Sequence, residues 1–449
     1  MKKRFLLFAV SFLLLNSHTK SQNLNFPPIS FTANWDTISP NSLGWCLPEI
    51  DSLYGFLEKE NTKGFMVLKD GKIVLEKYFG NFTKDSIWYW ASAGKTITSF
   101  LIGKAQEENF LKVTDTSSKY LGNGWTNCTL AQEDKMNIRN HLTMTTGLDD
   151  GVSDNHCTNK ICLTYKADAG SRWAYHNAPY TLLEKVITNA TSKTINNYTS
   201  TKLSAKTGIN GLWFTSDFDN VFYSKVRHMA RFGLLYQNNC IWNTDTLLYD
   251  ANFINQSINT SQNINLSYGY LWWLNGKPSF MIPTLQTVFP GSFAPNAPAD
   301  MFAALGKNGQ ILCVSKSKGL VVVRMGEAPG SFVEVPTVFC NQMWQKLNAV
   351  MCNKTAISNT PFEVNSLNIF PNPFTNELTL RFNSLTNAAT KLSIHDAIGK
   401  EVYTKTIQSV IGENTIIIKE MTSLKPGVYF AKLSIENGFS KTVKLIREY

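Results

Sequence analysis

Apolar residues change period along the chain, and the changes divide it. From Gly64 to Phe79 two β-rich apolar runs flank Lys69-Asp70-Gly71, and Asp-Gly between such runs predicts a hairpin. After Ser92 the string TITSFLIGKAQEENFL has helical spacing, and the pattern stays mostly helical to about Leu235, with loops rich in Asn, Thr and Gly. Strands return at Met301 to Leu305, Gln310 to Val314 and Gly319 to Arg324. Their links, Lys307-Asn308-Gly309 and Lys316-Ser317-Lys318, are tight enough to require an antiparallel meander. Val335 to Met351 then reads as a closing amphipathic helix that buries Phe339, Met343, Trp344 and Leu347. This order predicts an α+β domain. An antiparallel sheet is built from both ends of the domain and flanked by helices, a helical subdomain is inserted in the middle, and a cleft lies between the two parts.

Periodicity vanishes over residues 353–367, which read as a linker. From 368 to 449 short alternating strands such as ELTLRF, NTIIIK and GVYFAKLSI are broken by Asn, Gly and Pro, the pattern of a small β-sandwich. At the other end Lys2, Lys3 and Arg4 precede an apolar run from Phe5 to Leu15, and small or polar residues follow to Ser21. Residues 1–21 therefore read as a secretory signal peptide, leaving 22–352 as the first folded domain. The apolar run is too short to span a bilayer, which takes about 20 residues.

Composition narrows the function classes. With 43% hydrophobic and 17% charged residues, the 449-residue chain is neither disordered, collagenous nor a coiled coil. Its formal charge of +10 falls to +6 once the four cations of residues 1–21 are removed, and no basic block with interleaved aromatics points to nucleic acid. Export makes disulfides possible among the eight cysteines, and Cys157 and Cys162 are close enough to staple a small loop. No C-x-x-C pair or H-E-x-x-H string suggests a metal.

Chemistry is concentrated at Ser92-Ala93-Gly94-Lys95, at the start of the first predicted helix. Residues three apart share a helix face, so the amine of Lys95 reaches the hydroxyl of Ser92. A serine on the first turn also keeps its backbone N–H available to an oxyanion. A lysine base needs its affinity for protons lowered or shared, and Tyr175 in Tyr175-His176-Asn177 supplies a phenol that can accept and return the serine proton. The Asn177 amide can fix Lys95 and a substrate carbonyl. Ser17/Lys20 and Ser315/Lys318 repeat the S-x-x-K spacing, but one pair lies in the leader and the other in a hairpin turn. Ser153-Asp154-Asn155 and Lys206-Thr207-Gly208 compete as S-D-N and K-T-G strings. The first lies in a polar loop and the second ends a helical stretch, whereas K-T-G must sit on a strand. His141 and His228 read as packing or capping residues, and His176 should point away from the cleft. No G-x-S-x-G elbow is present.

S-x-x-K, Y-x-N and a glycine on a late strand together resemble the class C β-lactamase and penicillin-recognising serine hydrolase family, with its esterase and amidase members. HLTMTTGL (141–148), SRWAYHNAPYTLLEKV (171–186), MARFGLLY (229–236) and YGYLWWL (268–274) carry the same resemblance. It implies Ser92 as nucleophile, Lys95 and Tyr175 as proton relay, and Asn177, Gly306 and the Lys307 backbone N–H as substrate and oxyanion contacts, with no metal or organic cofactor. Ala304 departs from the pattern, because penicillin-recognising members carry Lys or His there to bind the substrate carboxylate. Lys307 and Arg324 are the candidate replacements. The expected substrates are therefore esters or small amides. The alternatives are β-lactamase or D-alanyl-D-alanine carboxypeptidase activity, or a penicillin-fold protein that binds without turnover. FPNPF (370–374), IHDAIGKEV (394–402) and LKPGVYFAKL (424–433) resemble the sorting domain of the type IX secretion system. That resemblance implies the export machinery as a partner and a secreted or surface location.

Overall fold

The structure, a computed structural model, describes residues 24–30, 34–330, 335–352, 367–384, 388–397, 399–410, 412–419, 421, 423–435 and 440–448. The predicted leader and nearly all of the predicted linker lie outside these residues. Contacts divide the chain into two compact units, Met1–Asn353 and Lys354–Tyr449.

In the first unit the predicted hairpin forms as β1 (Thr62–Lys69) and β2 (Lys72–Tyr78). Its turn needs left-handed backbone at both Asp70 (φ 50°) and Gly71 (φ 83°), and a side chain at 71 would strike the Asn25 carbonyl oxygen. The two-residue strand β3 (Trp88–Tyr89) pairs outside this sheet, with β4 (Gly211–Ser216) and β5 (Asp219–Ser224) in the order β3-β5-β4. The hairpin β4-β5 interrupts the stretch expected to be mostly helical. Its sequence, GLWFTSDFDNVFYS, is rich in aromatic and β-branched residues and turns at Asp217 with φ 51°.

The main sheet is completed by β6 (Trp273–Leu274), β7 (Phe302–Gly306), β8 (Gln310–Ser315) and β9 (Leu320–Gly326). Strand order is β2-β1-β9-β8-β7-β6, with antiparallel pairing throughout, so the first hairpin closes against the last strand of the meander. Val321, Val322 and Val323 are all buried because both faces are covered. On one face α1 (Pro48–Lys59) and the closing helix α5 (Thr337–Val350) pack through the stacked rings of Phe56 and Phe339, and Cys313 of β8 meets Cys340 of α5. On the other face lies α4 (Val226–Gln237), where Gly233 brings the helix so close that a Cβ would sit 2.5 Å from Val321 and 2.7 Å from Leu312. The remaining long helices, α2 (Lys95–Glu107) and α3 (Asn177–Thr191), belong to the inserted helical region and pack on each other. Disulfides join Cys46 to Cys352, locking the approach to α1 onto the end of α5, and Cys157 to Cys162. No described helix is long and apolar enough to cross a membrane.

The second unit is a β-sandwich. One sheet orders Asn368–Phe370, Leu378–Ser384 and Gly412–Ile418, and the other orders Glu401–Ser409, Ala388–Asp396, Gly427–Ile435 and Ser440–Arg447. Alternate residues such as Leu378, Leu380 and Phe382 point into a core shared with Leu392, Ile394 and Leu433.

Candidate active site

Ser92 sits on a single 3₁₀ turn, Ala91–Gly94, that runs directly into α2. The turn is held rigidly. Trp90, fully buried, receives its position from a backbone bond to the Phe222 carbonyl (2.8 Å) and from its indole N–H donating to Ser224 Oγ (2.7 Å). Ala91 takes a left-handed φ of 46° immediately before the serine, a conformation that costs an L-residue about 1–2 kcal/mol. Against this turn lies Gly306, the last residue of β7. A Cβ there would fall 2.5 Å from the Trp90 carbonyl oxygen, 2.9 Å from the Ala93 nitrogen and 3.1 Å from the Ser92 nitrogen. The glycine on the late strand thus makes room for the serine turn.

The side chains of the predicted relay come together. Lys95, only 4% exposed, points its Nζ at Ser92 Oγ (3.3 Å) and donates to Asn177 Oδ1 (2.9 Å). Its Nζ also lies 3.8 Å from the ring centre of Tyr180 and 5.5 Å from that of Tyr175, so two aromatic faces can help replace lost hydration when the group is charged. Tyr175 is buried and fixed by Trp173, Tyr268 and Trp273, the last stacking on it at 5.9 Å. Ser92 is half-buried and opens into a 320 Å³ cleft that Lys95, Tyr175, Asn177, Tyr180 and Lys307 also line.

A histidine overlooked in the sequence extends the network. Asn177 gives its carbonyl oxygen to Lys95, so its amide nitrogen faces His156 Nε2 (3.1 Å) and Asn155 Oδ1 (3.3 Å). The Nε2 of His156 must then accept, which places the ring proton on Nδ1, 2.9 Å from Asp219 Oδ1. Asp219, His156, Asn177, Lys95 and Ser92 form one chain of polar contacts. His156 adjoins the Cys157–Cys162 disulfide, and it belongs to the S-D-N-H string whose Ser153 remains exposed outside the cleft lining. Lys206 lies on a short helical turn, Ala205–Thr207, and not on a strand, and pairs with Asp245.

The other expected cations and histidines separate clearly. Arg324 does not enter the cleft. It is fully buried and donates to Asn308 O (2.7 Å), Gly309 O (3.1 Å), Glu60 O (2.6 Å) and Glu327 O (2.9 Å), and burial lowers its pKa to about 9. It braces the Lys307-Asn308-Gly309 turn from behind, while Asn308 Nδ2 ties that turn to Tyr89 Oη (2.8 Å). Ala304 is buried opposite Leu312. His141 is buried between Ser117 Oγ (2.8 Å) and the Pro179 carbonyl (2.6 Å), and His228 bonds the Asn210 carbonyl. His176 is buried outside the cleft lining, with no hydrogen-bond partner for either ring nitrogen among the described residues. Burial lowers the pKa of all three histidines to about 4.

A six-stranded antiparallel sheet with an inserted helical region, and a serine and lysine one turn apart at the mouth between them, define a penicillin-recognising type of hydrolase fold. Residues 58–335 match the Beta-lactamase family model, and the chain belongs to that family, whose members are serine hydrolases. Residues 368–448 match the model of a secretion system C-terminal sorting domain, which marks the chain for secretion or export to the cell surface. Among solved structures, the fold is similar to a Bacillus anthracis protein assigned as a 6-aminohexanoate-dimer hydrolase, at 18% identity and a TM-score of 0.53, covering 72% of this chain and 89% of that one. It is also similar to a penicillin-binding protein homolog from Caulobacter crescentus, at 12% identity and a TM-score of 0.53, covering 68% and 99%. An octameric penicillin-binding protein homologue from Pyrococcus abyssi shares 14% identity at a TM-score of 0.53, over 90% of this chain and 96% of that one. No curated protein sequence matches the chain.

Proposed function

We propose that this protein hydrolyses an ester or small amide through an acyl-enzyme on Ser92. One observation carries the reading: the Lys95 Nζ lies 3.3 Å from a half-buried serine hydroxyl and is itself held by Asn177 at 2.9 Å. The neutral Lys95 amine takes the Ser92 proton as the serine oxygen attacks the carbonyl carbon, and Tyr175 gives its phenolic proton to the leaving oxygen or nitrogen as the tetrahedral intermediate collapses, regaining one from Lys95. Backbone N–H groups of Ser92 and Lys307 hold the oxyanion, a pairing supported by the contact between Gly306 and the serine turn. Water then attacks the acyl group and releases the acid.

The substrate preference rests on charge. Ala304 supplies no cation and Arg324 is turned into the core, which leaves Lys307 as the one residue of the expected set that could meet a carboxylate in the cleft. Turnover of β-lactams or D-alanyl peptides is the second reading, and it depends on that lysine. In the same proposal residues 1–21 are removed as a signal peptide, 353–367 act as a linker, and 368–449 are read by the type IX machinery.

The test compares wild-type protein and Ser92→Ala on p-nitrophenyl acetate and nitrocefin. Ser92-dependent ester turnover with little nitrocefin cleavage is expected. Equal ester turnover by the two proteins would remove the proposal.

A further inference from the structure

We propose that an apolar groove beside the catalytic cleft holds a hydrocarbon arm of the substrate, so that the favoured esters carry a chain of several carbons. The inference rests on the serine-hydrolase reading above and names its substrate class.

The small sheet β3-β5-β4 connects the two spaces. Its register sets Tyr89, Tyr223 and Leu212 in one row and Val221 beside Phe214 in the next, and directly opposed residues share a face. Along that single face Tyr89, Val221 and Tyr223 line the cleft at Ser92, whereas Tyr223, Leu212, Phe214 and Ile87 line a groove of 810 Å³. Tyr223 is the shared wall, its ring 5.4 Å from Phe214 and 6.2 Å from Tyr89. In each row the cleft residue and the groove residue sit on neighbouring strands or one strand apart, and strands are about 4.8 Å apart, a short step from one space to the other.

The groove is apolar where an exposed hairpin would ordinarily be polar. Ile87 is 61% exposed, Leu212 54% and Phe214 53%, and they gather in one place. Of its polar lining, Lys225 is paired with Asp85 at 2.8 Å, Asn196 with the Trp213 backbone and His228 with the Asn210 carbonyl, so the groove has little charge to offer an anionic group. A hydrocarbon chain running from the reacting carbonyl past Tyr223 would cover these side chains and lose its own hydration.

The chain can belong to the acyl or to the alcohol part of the ester, and two substrate series distinguish them: p-nitrophenyl acetate through octanoate, and ethyl through octyl acetate. A fully buried methylene gains about fourfold in kcat/KM and one on an open groove about twofold. One of the series is therefore expected to rise on the order of tenfold or more from shortest to longest. In Leu212→Ser/Phe214→Ser the long-to-short ratio should fall toward unity. Because that ratio is taken within one preparation, partial misfolding of the variant cancels. A flat response in both series, or a rise that the double substitution leaves unchanged, overturns the subsite while Ser92-dependent acetate turnover keeps the hydrolase reading. Failure of every ester, acetate included, removes the subsite together with the ester half of the hydrolase reading.

Discussion

Replacing Gly306 by alanine tests the geometry at the point where strand and nucleophile meet. The residue has φ −130° and ψ 154°, ordinary extended backbone that alanine adopts freely, so only the added methyl matters. That methyl would lie 2.5 Å from the Trp90 carbonyl oxygen and 2.9 Å from the Ala93 nitrogen, against an ordinary contact that begins at 3.4 Å. Both neighbours are backbone atoms, so no side chain can swing aside, and the serine turn must retreat from β7 by about 1 Å. Overpacking of this kind costs about 1–3 kcal/mol of stability. A displacement of that size at a reacting atom costs about a hundredfold in rate. The assay is kcat/KM on p-nitrophenyl acetate together with a urea denaturation curve. Gly55→Ala serves as the control, because nothing lies within 4 Å of a Cβ at that helical position and alanine there should gain about 1 kcal/mol. Wild-type turnover by Gly306→Ala would refute the claim that this glycine positions Ser92.

Two further outcomes follow from the polar network at the site and from the buried histidines. His156→Ala removes one of the two partners of the Asn177 amide nitrogen. Loss of a hydrogen bond worth about 1 kcal/mol should lower kcat about fivefold with little change in KM, and an unchanged kcat would show that His156 does not position Asn177. Buried His141, His176 and His228 have folded pKa values near 4 against 6.5 for the free side chain. Below pH 6.5 the unfolded chain therefore binds protons that the folded chain refuses, so stability is full above that pH and falls as pH drops toward 4. At pH 5 the loss is roughly 2 kcal/mol per histidine and roughly 6 in all. Urea midpoints at pH 7 and pH 5 check this. Equal midpoints would contradict it, and His176→Phe should narrow the difference because its ring nitrogens are unpartnered among the described residues.

The frame of the fold was legible because its strands are short, separated by turn residues and rich in Val and Ile. Asp70-Gly71 and Asn308-Gly309 both carry the left-handed backbone that their sequences suggest. The hairpin at 211–224 was missed because it lies between helical segments, and its alternation reads clearly only when Trp213 and Phe222 are known to face the Trp90 turn. Within the site, Ser92, Lys95, Tyr175 and Asn177 were visible as fixed local spacings. His156 and Asp219 were not, since they are 63 residues apart and meet only because the inserted region folds the disulfide loop against β5. Arg324 could not be placed from sequence either. An arginine on a strand reads as a cleft cation until its neighbours are known, and here four backbone carbonyls claim it. The role of Gly306 was likewise invisible, because its constraint comes from a turn more than two hundred positions earlier in the chain.

The measurement that bears most directly on the central claim is the location of the covalent intermediate. Wild-type protein exposed briefly to a fluorophosphonate or a slowly deacylating ester, then digested and sequenced by mass spectrometry, should carry a single adduct on Ser92, and Lys95→Met should carry almost none. An adduct on a different residue, or equal labelling when Lys95 is replaced, would contradict the account.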